Sequence, residues 1–338
     1  MGLPVLSICI PTFNRSQYLK ECLESVLSSA KGYEDQIEIV ISDNASTDDT
    51  ASVVSEFEKR SSRIRYHRND TNIYIENFFV VSGLALGEYV WIFGDDDKVM
   101  DGAIPTILNR IKSGYDLIFC NYSIWSKDFS TLQNERNRLV DLEEEYNDAN
   151  LLLERIGIYL GYISICIIKK NVFFSTPPGL HMEYGFPHVY CMYAGLATNC
   201  RAVYIPATLV LNRAGNVYLP EWNKFFITGT SLVFEALLEK GYTQKAVYRA
   251  KHQHLRSIIS YSWTQSQSSA DLKTVAQLAL PHYKKDWLFW VTCMPIAYLP
   301  VPRFFLRFTI KMAQLVLVVN RSVSRRFNHA FSFLARRR

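Results

Sequence analysis

This 338-residue chain has no C-x-x-C pair, no G-x-G-x-x-G, no internal repeat and no uncharged run long enough to cross a bilayer. Each absence removes a class. Its seven cysteines (Cys9, Cys22, Cys120, Cys166, Cys191, Cys200, Cys293) are scattered and odd in number, which suits buried structural thiols in a reducing cytosol. Without a G-x-G-x-x-G after a strand, an NAD-binding enzyme is disfavoured. No basic region followed by an apolar block and a small-residue cleavage site opens the chain; Pro4 to Ile10 reads as a first core strand, so the protein is expected to stay cytosolic. The uncharged run from Trp287 to Pro302 has 16 residues and three prolines, short of the roughly 20 that a membrane helix needs. Charge of one sign is also scarce, with 37 Lys and Arg against 32 Asp and Glu for a net +5. The basic residues gather in a terminal segment rich in Phe and Leu rather than across a folded face, so no nucleic acid is expected as partner.

What is present argues for a folded α/β protein. Hydrophobic residues make up 49% of the chain, with 20 Phe and 20 Tyr, which excludes a disordered chain. Residues 5–10, 37–42, 63–67, 88–93 and 115–121 read as strands apolar enough to be buried on both faces, with a later strand at 202–211. Helical spacing fills the gaps: 16–30, then 48–59 with Asp48 as its N-cap, then 72–86 closed by Gly87. This alternation predicts a mostly parallel sheet flanked by helices, with ligands at the carboxyl ends of its strands. The expected organisation is a sheet-bearing domain over 1–215 in two halves, 1–120 and 121–215. A helical region over 216–283 and an amphipathic basic segment over 284–338 follow.

Three strand ends carry polar cargo. The first runs into Pro11-Thr12-Phe13-Asn14-Arg15, the second into Ser42-Asp43-Asn44-Ala45-Ser46-Thr47-Asp48, and the fourth into Gly94-Asp95-Asp96-Asp97. Carboxylates repel one another, so three in a row at a strand end point to a divalent cation or a hydroxyl-rich ligand. A nucleotidyltransferase would share the acids and the parallel sheet. It usually has a Gly-rich, basic loop after its first strand, and the 11–15 segment lacks glycine.

In order and spacing these motifs resemble the family 2 glycosyltransferases over roughly residues 4–120, and within that family the O-antigen sugar transferases, abequosyltransferases included. The resemblance implies a GT-A fold, a nucleotide-diphospho-sugar donor, Mn²⁺ or Mg²⁺, and inversion at the anomeric carbon; abequose from CDP-abequose is one such transfer. By similarity, Pro11, Thr12, Asn14, Arg15, Asp43, Asn44, Ser46 and Asp95 form the donor nucleotide site, Asn14 nearer to fold support. A carboxylate at Asp43 accepts a hydrogen bond from uracil or cytosine alike. Asp96 and Asp97 are the expected metal ligands, although Gly94 stands where the commoner family form has an acid, and a pairing of Asp95 with Asp96 stays open. A bound cation offsets the charge that builds on the departing diphosphate.

Inverting transfer needs one general base for the acceptor hydroxyl. Where the family presents an acidic pair, this chain reads Glu183-Tyr184-Gly185-Phe186-Pro187-His188, so His188 and Glu183 are the candidates, with Asp116 a further possibility. Asn72 reads better as a helix cap than as a donor contact. Beyond 284, Arg303, Arg307 and Lys311 recur at spacing four beside Phe304, Phe305 and Phe308, and six arginines follow Asn320 without an acid. Such a segment suits the interface of an anionic membrane. The acceptor is therefore expected to be a lipid-linked, polyprenyl-diphosphate oligosaccharide, reached from the inner face of the cell membrane. The departures at Gly94 and His188 also leave room for an inactive sugar-nucleotide-binding scaffold at the membrane.

Overall fold

A computed structural model describes residues 2–134, 139–177, 185–215, 222–265 and 269–298. Among these residues ten strands form one sheet: β1 (Leu6–Thr12), β2 (Ile37–Asp43), β3 (Ile64–Arg68), β4 (Tyr89–Ile92), β5 (Lys98–Val99), β6 (Leu117–Trp125), β7 (Leu132–Asn134), β8 (Glu144–Tyr146), β9 (Cys166–Lys169) and β10 (Ala202–Arg213). The main path is β3-β2-β1-β4-β9-β6-β10-β5, with β7 on β6 and β8 on β10. The strands β3, β2, β1 and β4 are mutually parallel, as are β6 and β10. Between these two parallel blocks lies β9, antiparallel to both β4 and β6. The expected mostly parallel sheet is thus two parallel blocks joined by one reversed strand.

Helices α1 (Ser16–Ser29), α2 (Thr50–Glu58), α3 (Asn77–Gly83), α4 (Ala103–Ile111), α5 (Ala149–Ile156), α6 (Lys170–Phe173) and α7 (Pro187–Leu196) accompany the sheet. All seven residues of β2 are buried, polar Glu38, Ser42 and Asp43 among them, as a strand covered on both faces requires. Leu19, Cys22, Leu23 and Val26 are the buried stripe of α1. Asp48, the expected N-cap, lies one residue before the observed one, Asp49. Its Oδ1 accepts from the Thr50 N–H (3.1 Å) and its Oδ2 from the Ser16 N–H (2.9 Å), so one carboxylate serves the first turns of both α1 and α2.

The third helix is shorter than its periodicity predicts, and it ends at Gly83 rather than at Gly87. Gly87 answers a different need: a Cβ there would stand 2.7 Å from Ser7 Oγ and 2.9 Å from its backbone nitrogen, so only glycine lets the chain pass this close to β1. All seven cysteines are buried and unpaired.

The chain forms two compact units, 1–251 and 252–338, so residues 222–251 belong with the sheet. Within the second unit the helices Ser269–Tyr283 and Trp287–Tyr298 are neighbours, and Asp286 pairs with His252 (2.7 Å) while its Oδ1 accepts from the Leu288 N–H (2.9 Å). No helix among the described residues is long and apolar enough to cross a membrane. The amphipathic stretch expected at 303–320 and the arginines after it lie outside the described residues.

Candidate active site

Strand register builds the first part of the site. Thr12 pairs with Asp43 across β1 and β2, and Asp43 pairs with Arg68 across β2 and β3, so three polar residues stand in one row at the carboxyl edge; Pro11 sits one place back, opposite Ser42. Asp43 is fully buried. Its Oδ1 accepts from the Ser46 N–H (2.8 Å), and its Oδ2 from the Tyr66 hydroxyl (2.7 Å) and the Arg68 guanidinium (3.2 Å). A buried carboxylate is tolerable only when paired and hydrogen-bonded, and this one is both.

Around it the expected residues divide into contact and scaffold. Asn14, held at φ +52°, accepts the Thr47 N–H on its side-chain oxygen (2.7 Å) while its own N–H donates to Ser46 Oγ (2.8 Å), which locks the two loops together. Asn44 donates to Asn72 Oδ1 (2.7 Å) and accepts from the Ile73 N–H (3.0 Å). Asn72 accepts from the Tyr74 N–H (2.9 Å), so it supports a turn before the third helix instead of capping it. Asn77 clasps Ser42 at both its hydroxyl and its carbonyl.

The strand β4 delivers the acids to the same edge, because it runs parallel to β1 beside it. Asp95 turns toward β1, accepting from the Thr12 hydroxyl (2.8 Å) and from Arg15 (2.9 Å). Asp96 shares that arginine through Oδ2 (3.1 Å), and its Oδ1 takes no hydrogen bond among the described residues. Asp97 turns the other way. Its Oδ2 accepts from the Tyr162 and Ser164 hydroxyls (2.6 Å each), and its Oδ1 from the Asn212 amide (3.2 Å) and the Arg213 N–H (3.3 Å).

Burial, opposed in part by Arg15 and reinforced by Asp96, pushes the Asp95 carboxyl up to about 6. Burial and the neighbouring Asp96 push Asp97 up to about 7 against those hydroxyl donors. A protein holding these acids together without a cation therefore resists their full ionisation.

Gly94 explains how the acids come so close. A Cβ at this position would lie 2.9 Å from Asp97 Oδ2, 3.1 Å from Asp96 Oδ1 and 3.2 Å from Ser164 Oγ. An acid here, as in the commoner family form, would collide with its neighbours. Both carboxylate oxygens approach that cradle, and oxygens suit a hard divalent cation, but no group of three or more His, Cys, Asp or Glu among the described residues is placed to hold a metal ion by itself. Asp96 Oδ1 is open. Asp97 Oδ2 is held by hydroxyls, which can turn their protons elsewhere, whereas the N–H donors on its Oδ1 cannot.

His188 is the second residue of α7 and only 3% exposed. It lies edge-on to Phe78 and against Phe186. Its Nε2 is 3.2 Å from the Gly161 carbonyl, one residue before the Tyr162 that binds Asp97. A carbonyl accepts only, so Nε2 carries the proton, and the buried Nδ1 lone pair has no partner among the described residues. Burial pushes this imidazole down to about 4, the Gly161 bond opposing.

Glu183 lies outside the described residues. Asp116 is removed as a base by topology, because it stands at the amino end of β6, away from the acids, and pairs with Lys169 (2.9 Å). Sequence reasoning missed Tyr162, Ser164, Asn212 and Arg213. The available signal was the pair Asn212-Arg213 ending a long apolar strand, and lone polar residues inside the apolar stretch 157–168.

The description "Glycosyl transferase family 2" fits residues 7–173. The abequosyltransferase RfbV of Salmonella typhimurium is 31% identical over 225 residues, covering 63% of this chain and 67% of that protein. The GalNAc(5)-diNAcBac-PP-undecaprenol beta-1,3-glucosyltransferase of Campylobacter jejuni is 36% identical over 135 residues, 38% of this chain and 43% of that protein. Among solved structures, S. aureus TarS 1-349 in complex with UDP-GlcNAc matches at TM-score 0.62 and 13% identity, covering 86% of this chain and 90% of that one. A Pyrobaculum calidifontis mannosyltransferase in complex with GDP-Man and Mn²⁺ matches at TM-score 0.53 and 13% identity, covering 89% of each chain. Identities this low speak for the fold, which is GT-A-like.

Proposed function

This chain belongs to glycosyl transferase family 2 and is a glycosyltransferase, and we propose that it moves a sugar, with inversion, from a nucleotide-diphospho-sugar to a lipid-linked oligosaccharide acceptor in cell-surface polysaccharide synthesis. The observation that carries this reading is the convergence of Asp96 Oδ1 and Asp97 Oδ2 beside Thr12, Arg15 and the buried Asp43. Asp43, buried and holding Ser46, Tyr66 and Arg68, would face the nucleobase by exchanging one of these donors for the base, and Asp95 would take the ribose side. Asp96 and Asp97 would hold Mn²⁺ or Mg²⁺, which when bound supplies positive charge against the diphosphate leaving group.

The base in this reading is His188. A pKa near 4 is that of an ordinary carboxylate, so the ring offers the basicity that an acid at this place would. Its tautomer is fixed by Gly161, which leaves the lone pair on Nδ1; that nitrogen is buried and has to be uncovered before it can take the acceptor proton, and Glu183 is the residue to turn to if His188→Ala keeps wild-type turnover.

The RfbV match favours a deoxysugar donor such as CDP-abequose, and the Campylobacter match a polyprenyl-diphosphate acceptor. A membrane-surface station is supported by the helix Trp287–Tyr298, where Trp287 and Val291 are each 64% exposed, and by the arginine-rich sequence beyond it. Incubation with UDP-, CDP-, GDP- and dTDP-sugars, with and without Mn²⁺, tests the core of the reading. Cation-dependent release of one nucleoside diphosphate is expected; release of none in the presence of acceptor lipid would leave only a binding protein.

A further inference from the structure

We propose that Arg213 is a positioning residue for sugar transfer, one that fixes the backbone of the acid turn so that the Asp96 and Asp97 carboxylates keep their convergent aim. The inference rests on the reading of those acids as the cation site.

The guanidinium side chain is 2% exposed, and each of its three nitrogens donates a hydrogen bond. Its Nε donates to the Asp96 carbonyl (2.9 Å), its Nη2 to Glu21 of α1 (3.0 Å), and its Nη1 to the Lys127 carbonyl in the connection between β6 and β7. The guanidinium carbon also lies over two aromatic rings, Tyr18 at 4.4 Å and Phe129 at 4.3 Å to the centroids. The same residue's backbone N–H meets Asp97 Oδ1. One side chain thus joins α1, the acid turn, the β6–β7 connection and the end of β10.

Two features separate this from generic packing. Arg213 grips a peptide carbonyl of the acid turn and not its carboxylates, and its charge is paired with Glu21, so it orients the acids without competing for the oxygens that face the cation. Phe129 sits at φ +58°, a conformation unfavourable for a bulky residue, with Lys98 also 4.3 Å from its ring centroid. The strained turn persists because its ring is held beside the two cations. A lysine cannot reproduce the arrangement, since it lacks the planar faces and the forked donors.

The test uses full-length protein and three variants, Arg213→Gln, Arg213→Lys and Phe129→Ala. Mn²⁺ binding is followed by electron paramagnetic resonance with whichever of UDP, CDP, GDP or dTDP binds the wild type. Nucleotide binding without metal and the melting temperature are measured in parallel. Losing charge-assisted hydrogen bonds should weaken Mn²⁺ binding about 10- to 100-fold in Arg213→Gln and nearly as much in Arg213→Lys, with metal-free nucleotide binding unchanged. Phe129→Ala, which removes the ring beside Arg213 and Lys98, should weaken it about threefold and serves if the arginine variants do not fold. Wild-type Mn²⁺ affinity in a folded Arg213→Gln or in Phe129→Ala overturns the positioning role alone, as does equal loss of metal-free nucleotide binding. Failure of the wild type itself to bind Mn²⁺ with any of the four nucleotides overturns both this inference and the cation site beneath it.

Discussion

Gly94 carries no side chain because the space where one would begin is bounded by two carboxylate oxygens and a hydroxyl. Gly94→Ala should cost about 1 to 3 kcal/mol of stability from overpacking, and it should weaken cation binding more than tenfold by pushing the acids apart. Denaturant titration and Mn²⁺ titration read the two effects separately. Asp96→Asn, which removes the one open oxygen's charge, should lower turnover about 10²- to 10³-fold, measured as nucleoside diphosphate release, while leaving the fold intact.

His188 gives a prediction in pH. The folded protein keeps the ring neutral down to about 4, whereas the unfolded chain protonates it near 6.5. The stability this lends is complete above pH 6.5 and is lost as pH falls from there toward 4. At about 1.36 kcal/mol per unit, on the order of 3 kcal/mol is involved. Urea midpoints between pH 7.5 and 4.5 should therefore fall more steeply in the wild type than in His188→Gln. As the base, the same ring would add no inflection of its own to the turnover profile near pH 6.5, the value of an exposed histidine.

At the scale of elements, Asp48 is the point where two helices begin. Asp48→Ala should cost about 1 to 2 kcal/mol, measured by chemical denaturation, because the first turns of both α1 and α2 lose an acceptor. The strands β1 to β4 were legible in the chain because each is a short apolar run with a polar end, and parallel pairing then aligns those ends without further information. The strand β9 was not. Cys166 to Lys169 is four residues inside a longer apolar stretch, and such a run carries no period that separates strand from helix. With β9 unread, the segment before it also lost its meaning: Tyr162 and Ser164 reach Asp97 only because β9 inserts beside β4. Gly87 misled for a related reason, since a glycine needed for close approach looks in sequence like one that ends a helix.

At the scale of the whole molecule, the sheet brings residues more than a hundred positions apart to one edge: Thr12 and Asp95 from the first parallel block, Asn212 and Arg213 from the second. The donor-side motifs could be read from order and spacing, because each is local. The donors around Asp97 could not, because only tertiary structure assembles them. A chain ending at residue 298 retains every described element and should keep metal-dependent nucleotide release while losing co-sedimentation with vesicles rich in phosphatidylglycerol.

The account depends most on a cation held by the acids after β4, and the direct measurement is Mn²⁺ bound by the wild type and by Asp96→Asn in the presence of a nucleoside diphosphate, followed by electron paramagnetic resonance. One ion per wild-type chain, with affinity lowered at least tenfold in the folded variant, is the predicted result. Equal Mn²⁺ binding by both proteins, or by neither, would contradict it.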